Sequence, residues 1–202
     1  MNVGIVTSFV IGGLMLISIL TLNVQTTKYA SESTLEIVNN IRMESLSDVL
    51  TNDFQKIGQG LPSGASPFIT LESNRIQFRS DAFYGDDRDF STITWEFRAN
   101  EEFTASSNPN DYTLIRSDVI TGSLTNTTQE FGVSHFEITY LNQNGSVVTG
   151  LPGNKNLIRK IRVEIICESF ESTSKDASGD PIYNKVMWSK IFYPENVQYL
   201  NQ

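Results

Sequence analysis

The chain holds one cysteine, Cys167, and one histidine, His135. A lone cysteine excludes an internal disulfide and leaves the redox compartment open. A lone histidine excludes a multi-histidine metal centre, and any Ser-His-Asp machinery would have to be built on that one residue. Basic residues are also scarce: 15 Lys and Arg stand against 23 Asp and Glu, a formal net charge of −8. Phosphate contacts need clustered Lys and Arg, so nucleic acid is excluded as a partner. The one dense basic group, Arg159, Lys160 and Arg162, falls inside a strand pattern. GxxxxGK[ST], GxGxxG and GxSxG are all missing, which removes the phosphate-cradling and nucleophile-elbow signatures.

The longest absence lies at the amino terminus, where Met1 to Thr27 has no charged side chain and no proline. The run Val3 to Val24 is dominated by Val, Ile, Leu, Met and Phe. About 20 apolar residues at about 1.5 Å each cover a bilayer's hydrocarbon core, so residues 1–27 read as a transmembrane helix. Thr7, Ser8, Ser18 and Thr21 are small hydroxyls that can bond back to their own helix. A cleaved secretory signal would want a basic n-region and a run of about 7–15 apolar residues; this run is longer and lacks that charge, so an uncleaved anchor is expected. The nearest basic residue, Lys28, lies on the C-terminal side, and charge counting alone puts the domain in the cytoplasm. Gly12-Gly13 in mid-span is ordinary for a membrane helix.

The helical pattern continues past the apolar run. Met43, Leu46, Leu50, Phe54 and Ile57 recur at spacings of three and four, with Leu35 and Val38 earlier, while Glu44, Ser47, Asp48 and Lys56 take other faces. Residues 28–61 are therefore expected to be an amphipathic continuation of the same helix. Gly58, Gly60, Pro62, Gly64 and Pro67 then turn the chain.

From there, residues 62–202 show a period of two. Phe68 to Leu71 and Arg75 to Arg79 flank a Ser73-Asn74 turn, with Ile76 and Phe78 on one face. Ile93, Trp95 and Phe97 alternate inward, and Tyr112 to Arg116 is a shorter strand. Val133 to Leu141 reads as one strand with Phe136, Ile138 and Tyr140 on one side. Leu157 to Phe170 sets Ile161, Val163 and Ile165 against Lys160, Arg162 and Glu164. Tyr183 to Tyr193 carries apolar residues on both faces, which predicts a central strand. The stretches Asp81 to Asp89, Ala99 to Asp111, Thr121 to Glu130 and Glu171 to Pro181 are polar and read as loops. With 39% hydrophobic residues in 202, and roughly 140 left after the helix, one domain with a real core is expected. The fold class is α+β: a long N-terminal helix packed on an antiparallel β-sheet.

This plan resembles the type IV pilin and type II secretion pseudopilin superfamily. Asn52 to Gly58, Asn74 to Asp81, Thr113 to Ser117, Phe131 to Asn142 with Gly145, and Ile158 to Val163 are similar to the larger minor members, of the PilW or GspJ kind. The resemblance implies a subunit held in the inner membrane by its helix, with the C-terminal domain periplasmic or in an extracellular filament, against the charge count above. Its implied partners are membrane lipid and other pilin-like subunits, with no small-molecule substrate and no cofactor. Family prepilins carry a basic leader cut after glycine and a glutamate at the fifth mature position. Here the sequence departs from that pattern: Gly4 could mimic the cut, but no Lys or Arg precedes it, and Phe9 takes the glutamate's place, as in some minor members that lack the glutamate.

No catalytic, cofactor-binding or metal-ligating residue is assigned. His135 sits on the polar face of its strand, and Cys167, in an apolar strand, reads as a buried inert thiol. Asp81, Asp86, Asp87 and Asp89 are dense enough in oxygen ligands to suggest calcium, yet the spacing matches no EF-hand; a solvated acidic turn is the preferred reading and a calcium loop the alternative. Asn126-Thr-Thr and Asn144-Gly-Ser fit glycosylation triplets. Phe83, Tyr84 and Phe90 form either a contact patch or packing under their loop. An anchored β domain that binds an envelope partner without polymerising is the alternative, and a membrane enzyme using Asp86 with Glu101 or Glu102 the third.

Overall fold

The computed structural model describes residues 3–62, 64–81, 90–120 and 126–194. One helix, α1, runs unbroken over Val3–Gln55. Thr7, Ser18 and Thr21 each donate to the carbonyl four residues back at 2.9 Å, so these hydroxyls are satisfied without leaving the helix. The helix is long and apolar enough to cross a membrane, and its most apolar window is wholly exposed. It ends at Gln55, short of the expected 61, because residues 56–60 are turns in which Gly58 and Gly60 take φ of 75° and 74°. Ile57 stays fully buried in that turn.

Two antiparallel sheets receive the upper part of α1. The first orders β1 (Phe68–Leu71), β2 (Arg75–Asp81), β3 (Phe90–Glu102), β4 (Tyr112–Ile120) and β5 (Asn126–Val133) consecutively. The second places β7 (Lys160–Glu168) between β6 (His135–Leu141) and β10 (Lys185–Phe192). β8 (Ser174–Lys175) and β9 (Pro181–Ile182) form a separate hairpin. The stretch expected as one strand from Val133 splits at Ser134. Val133 pairs with Tyr112 in the first sheet, whereas His135 pairs with Ile166 in the second. Ser134 makes the crossing, its N–H donating to Ile166 O at 2.9 Å.

Other expectations need correction. Asn126 to Glu130, read as loop, is strand; so is Ala99 to Glu102. Their polar side chains hid them: β5 is an edge strand, and Ala99 to Glu102 runs on beyond the last β2 pairing at Glu96, so neither stretch has an apolar face to alternate against. The hairpin inside Glu171 to Pro181 was hidden for the same reason. β10 lies at an edge rather than centrally: among the described residues its only sheet partner is β7. Its inner face holds Val186, Trp188 and Phe192 against the core, and its outer face leaves Met187 and Ile191 exposed.

Where the alternation was clean it positions the core. Ile76, Phe78, Ile93, Trp95 and Phe97 of the first sheet, and Phe136, Ile138, Tyr140, Ile161, Val163 and Ile165 of the second, join Met43, Leu46, Leu50 and Phe54 of α1 in one cluster. Phe54 meets both sheets, edge-on to Phe78 at 5.8 Å and tilted against Phe192 at 5.0 Å. Each such fully buried side chain contributes about 1.5–3 kcal/mol of transfer free energy. The sheets are tied beside the β1–β2 turn, where Ile138 N–H donates to Ser73 O at 2.7 Å and Tyr140 OH to Glu72 O at 3.0 Å.

Candidate functional site

The helix presents two faces, and polar contacts decide which faces the core. Val38, expected in the inward stripe, is exposed, and Asn39 takes the inward position at 1% exposure. Asn39 Nδ2 donates to the carbonyls of Asn184 at 3.1 Å and Cys167 at 3.4 Å, at the lower ends of β10 and β7. Such an amide can hydrogen-bond strand carbonyls that a valine would leave unpaired.

One turn on, Arg42 places its guanidinium carbon over the Phe170 ring, 3.5 Å from the ring centroid. Its Nη1 donates to Glu168 O at 3.0 Å and its Nη2 to Gly132 O at 2.9 Å, so one side chain joins the two sheets to the helix. Burial lowers its pKa, and the nearby Cys167 and Asp111 oppose that shift. Phe103 stacks on Phe170 at 6.0 Å and rests on Gly132, where an added Cβ would come within 2.4 Å of the ring. A cavity of about 350 Å³ opens here, lined by Arg42, Phe103, Phe131, Cys167 and Phe170 among others.

Behind this layer the loop before β4 is pinned to Glu168. Asn108 Nδ2 and Asn110 Nδ2 donate to Glu168 Oε2 at 3.0 and 3.2 Å, and Lys185 Nζ approaches Oε1 at 2.8 Å. Burial would raise the Glu168 pKa, but these hydrogen bonds and the Lys185 charge together hold it below the usual carboxylate value. Asp111 is in the opposite situation. It is fully buried, and neither carboxylate oxygen has a hydrogen bond of normal geometry among the described residues. Burial raises its pKa, with the Ser106 hydroxyl and the Arg42 charge only partly offsetting and Glu168 adding to the rise.

A second lock sits near the top of α1. Asp53 accepts from Trp95 Nε1 at 2.9 Å and from Arg116 Nε and Nη2 at 2.6 and 3.0 Å. The hydrogen bond to Asp53 raises the Arg116 pKa against the effect of burial.

The outer face of the helix is left open. Beyond the apolar run, Ile37, Val38 and Ile41 are 56%, 44% and 59% exposed, opposite Asn39 and Met43. Sequence reasoning missed this patch because it followed the inward stripe. The signal was the Ile37/Ile41 pair, four residues apart.

The residues singled out for chemistry are scattered. His135 is exposed beside Glu137 at 3.7 Å. Cys167 is buried and its thiol is pushed up to about 11, chiefly by burial. Glu101 and Glu102 stand exposed at the end of β3, with Glu101 paired to Arg98 at 3.0 Å. Asp86, Asp87, Asp89, Phe83 and Tyr84 lie outside the described residues, and Phe90 is half-buried at the start of β3. Asn126 and Asn144 are both exposed, on an edge strand and a turn. Among the described residues no group of three or more His, Cys, Asp or Glu side chains converges as metal ligands. No protein-family model, curated protein or solved structure matches this chain.

Proposed function

We propose that the chain is a minor pilin-like, pseudopilin-type assembly subunit of a type IV filament or type II secretion system. It is held in the inner membrane by α1, with the β domain periplasmic or carried into an extracellular filament. The observation that supports this reading is the division of one continuous helix: its lower half is apolar and wholly exposed, and its upper half is built into both sheets. An exposed apolar run needs either lipid or other helices around it, since in water it would cost about 25 cal/mol for each Å² of apolar surface. The Asn39, Arg42 and Asp53 contacts fix the domain's rotation about that helix. A helix packed among others would therefore carry its domain in a set orientation. Ile37, Val38 and Ile41 extend the packing face above the lipid.

The test is disulfide crosslinking through a Leu14→Cys variant in native membranes, with intact-mass and N-terminal sequence determination of the extracted chain. Crosslinks to similar apolar helices, with a trimmed or methylated terminus, are the expected result. An intact Met1 with no helix partner would sink the filament reading.

A further inference from the structure

The β8–β9 hairpin continues the β7–β10 ladder downwards along the helix. Ile161 pairs with Phe192, which packs against Phe54, and Cys167 O accepts from Asn39, so β7 runs antiparallel to α1. Between Phe54 and Asn39 the helix descends about 22 Å at about 1.5 Å per residue, and Ile161 to Cys167 spans about 20 Å at about 3.3 Å per residue. The two stay in step. The ladder is carried on by Ser169 N–H to Asn184 O, Thr173 N–H to Ile182 O and Asp176 N–H to Asp180 O, each at 2.8 Å. Thr173 accordingly lines a cleft with Asn23, Val24, Thr27, Lys28, Ser31 and Glu32 of α1.

That level is where the apolar run ends. Val3 to Val24 is about 33 Å long against a hydrocarbon core of about 30 Å, so a helix seated with this run in lipid emerges near Asn23 to Thr27. The hairpin tip reaches beyond Thr173, yet Lys175 to Asp180 is exposed and carries no large apolar side chain. Charged side chains do not enter hydrocarbon without a large cost. Glu171 to Asp180 carries three carboxylates (Glu171, Asp176, Asp180) and one ammonium (Lys175), and Lys28 of the cleft is paired with Glu32, so the net negative charge disfavours an anionic lipid surface.

We propose that the β8–β9 hairpin rests on the headgroups of a zwitterionic phospholipid surface and acts as a depth stop for the anchor. The polar tip meets headgroup phosphate and ammonium groups but does not insert. The domain is thereby held against the membrane at a fixed height and rotation before any assembly. This rests on the membrane-anchor reading of α1, not on the identity of any filament.

The experiment uses the full chain in phosphatidylcholine nanodiscs, with a fluorophore on Ser178→Cys or, as a second tip variant, Ala177→Cys. Leu14→Cys reports the span and Asn144→Cys the far end of the domain. Nitroxide lipids labelled at the headgroup or at mid-chain serve as quenchers. Expected are loss of Leu14 fluorescence with the mid-chain quencher, loss of tip fluorescence with the headgroup quencher, and neither at Asn144. Added anionic phosphatidylglycerol should leave tip quenching unchanged or lower. Quenching at Leu14 without quenching at either tip position would overturn the hairpin proposal and leave the anchor standing. A rise with anionic lipid would overturn the zwitterionic assignment. No quenching at Leu14 would overturn both anchor and hairpin.

Discussion

Trp95 donates its indole N–H to Asp53 at 2.9 Å across the boundary between β3 and α1, and Arg116 binds the same carboxylate from β4. A charged residue thus sits at the centre of the apolar contact between helix and sheet, fully supplied with donors. Asp53→Ala removes the acceptor of the Trp95 N–H and the nearer of two carboxylate partners of Arg116, leaving Asp118 at 3.4 Å, so it is expected to lower stability by about 1–3 kcal/mol. The Asp53→Ala/Arg116→Ala double variant should lose less than the sum of the single variants. Chemical denaturation of the detergent-solubilised chain measures both, and additive losses would show that the pair is not coupled.

Asp111 and Glu168 titrate in opposite senses. The raised Asp111 pKa means that its contribution is full below the unfolded value of about 4 and is lost as pH rises through the folded value. The lowered Glu168 pKa means a contribution present above about 4.3 and lost as pH falls through the folded value. Asp111→Asn is therefore expected to stabilise at neutral pH, and Glu168→Gln to destabilise there and lose its effect in acid. Melting temperatures from pH 3 to pH 8 decide it; an Asp111→Asn variant weaker than wild type at neutral pH would contradict the assignment.

Gly132 is a packing position. A Cβ there would meet Phe103 at 2.4 Å, so Gly132→Ala must displace the ring that covers Phe170 and Arg42. Overpacking of this kind costs about 1–3 kcal/mol. Pairing Gly132→Ala with Phe103→Leu should recover part of the loss, which thermal melts of the two variants would show.

Cys167 is expected to be inert. With the thiol 1% exposed and its pKa at about 11, alkylation by a water-soluble maleimide should be slow in the native chain and fast after denaturation. Rapid native labelling, followed by mass spectrometry at neutral pH, would argue that the layer over Cys167 opens.

The long helix, the Ser73-Asn74 turn, the inward rows of Trp95, Ile138 and Ile161, and the solvent-facing His135 were all legible in order and spacing alone. They depend on local periodicity, and a residue's neighbours along the chain carry that information. What stayed hidden was set by partners distant in sequence. Val133 and His135 look like one alternating strand until two different sheets claim them. Asn39 displaces Val38 from the inward face because carbonyls of Cys167 and Asn184 wait there. Strands β5, β8 and β9 follow from the ladders in which they pair rather than from any apolar alternation of their own. Hydrophobic spacing determines which elements form and which faces they bury; the assignment of strands to sheets, the Arg42 and Asp53 locks and the descent of the hairpin beside the helix were decided only when tertiary contacts brought together partners distant in sequence.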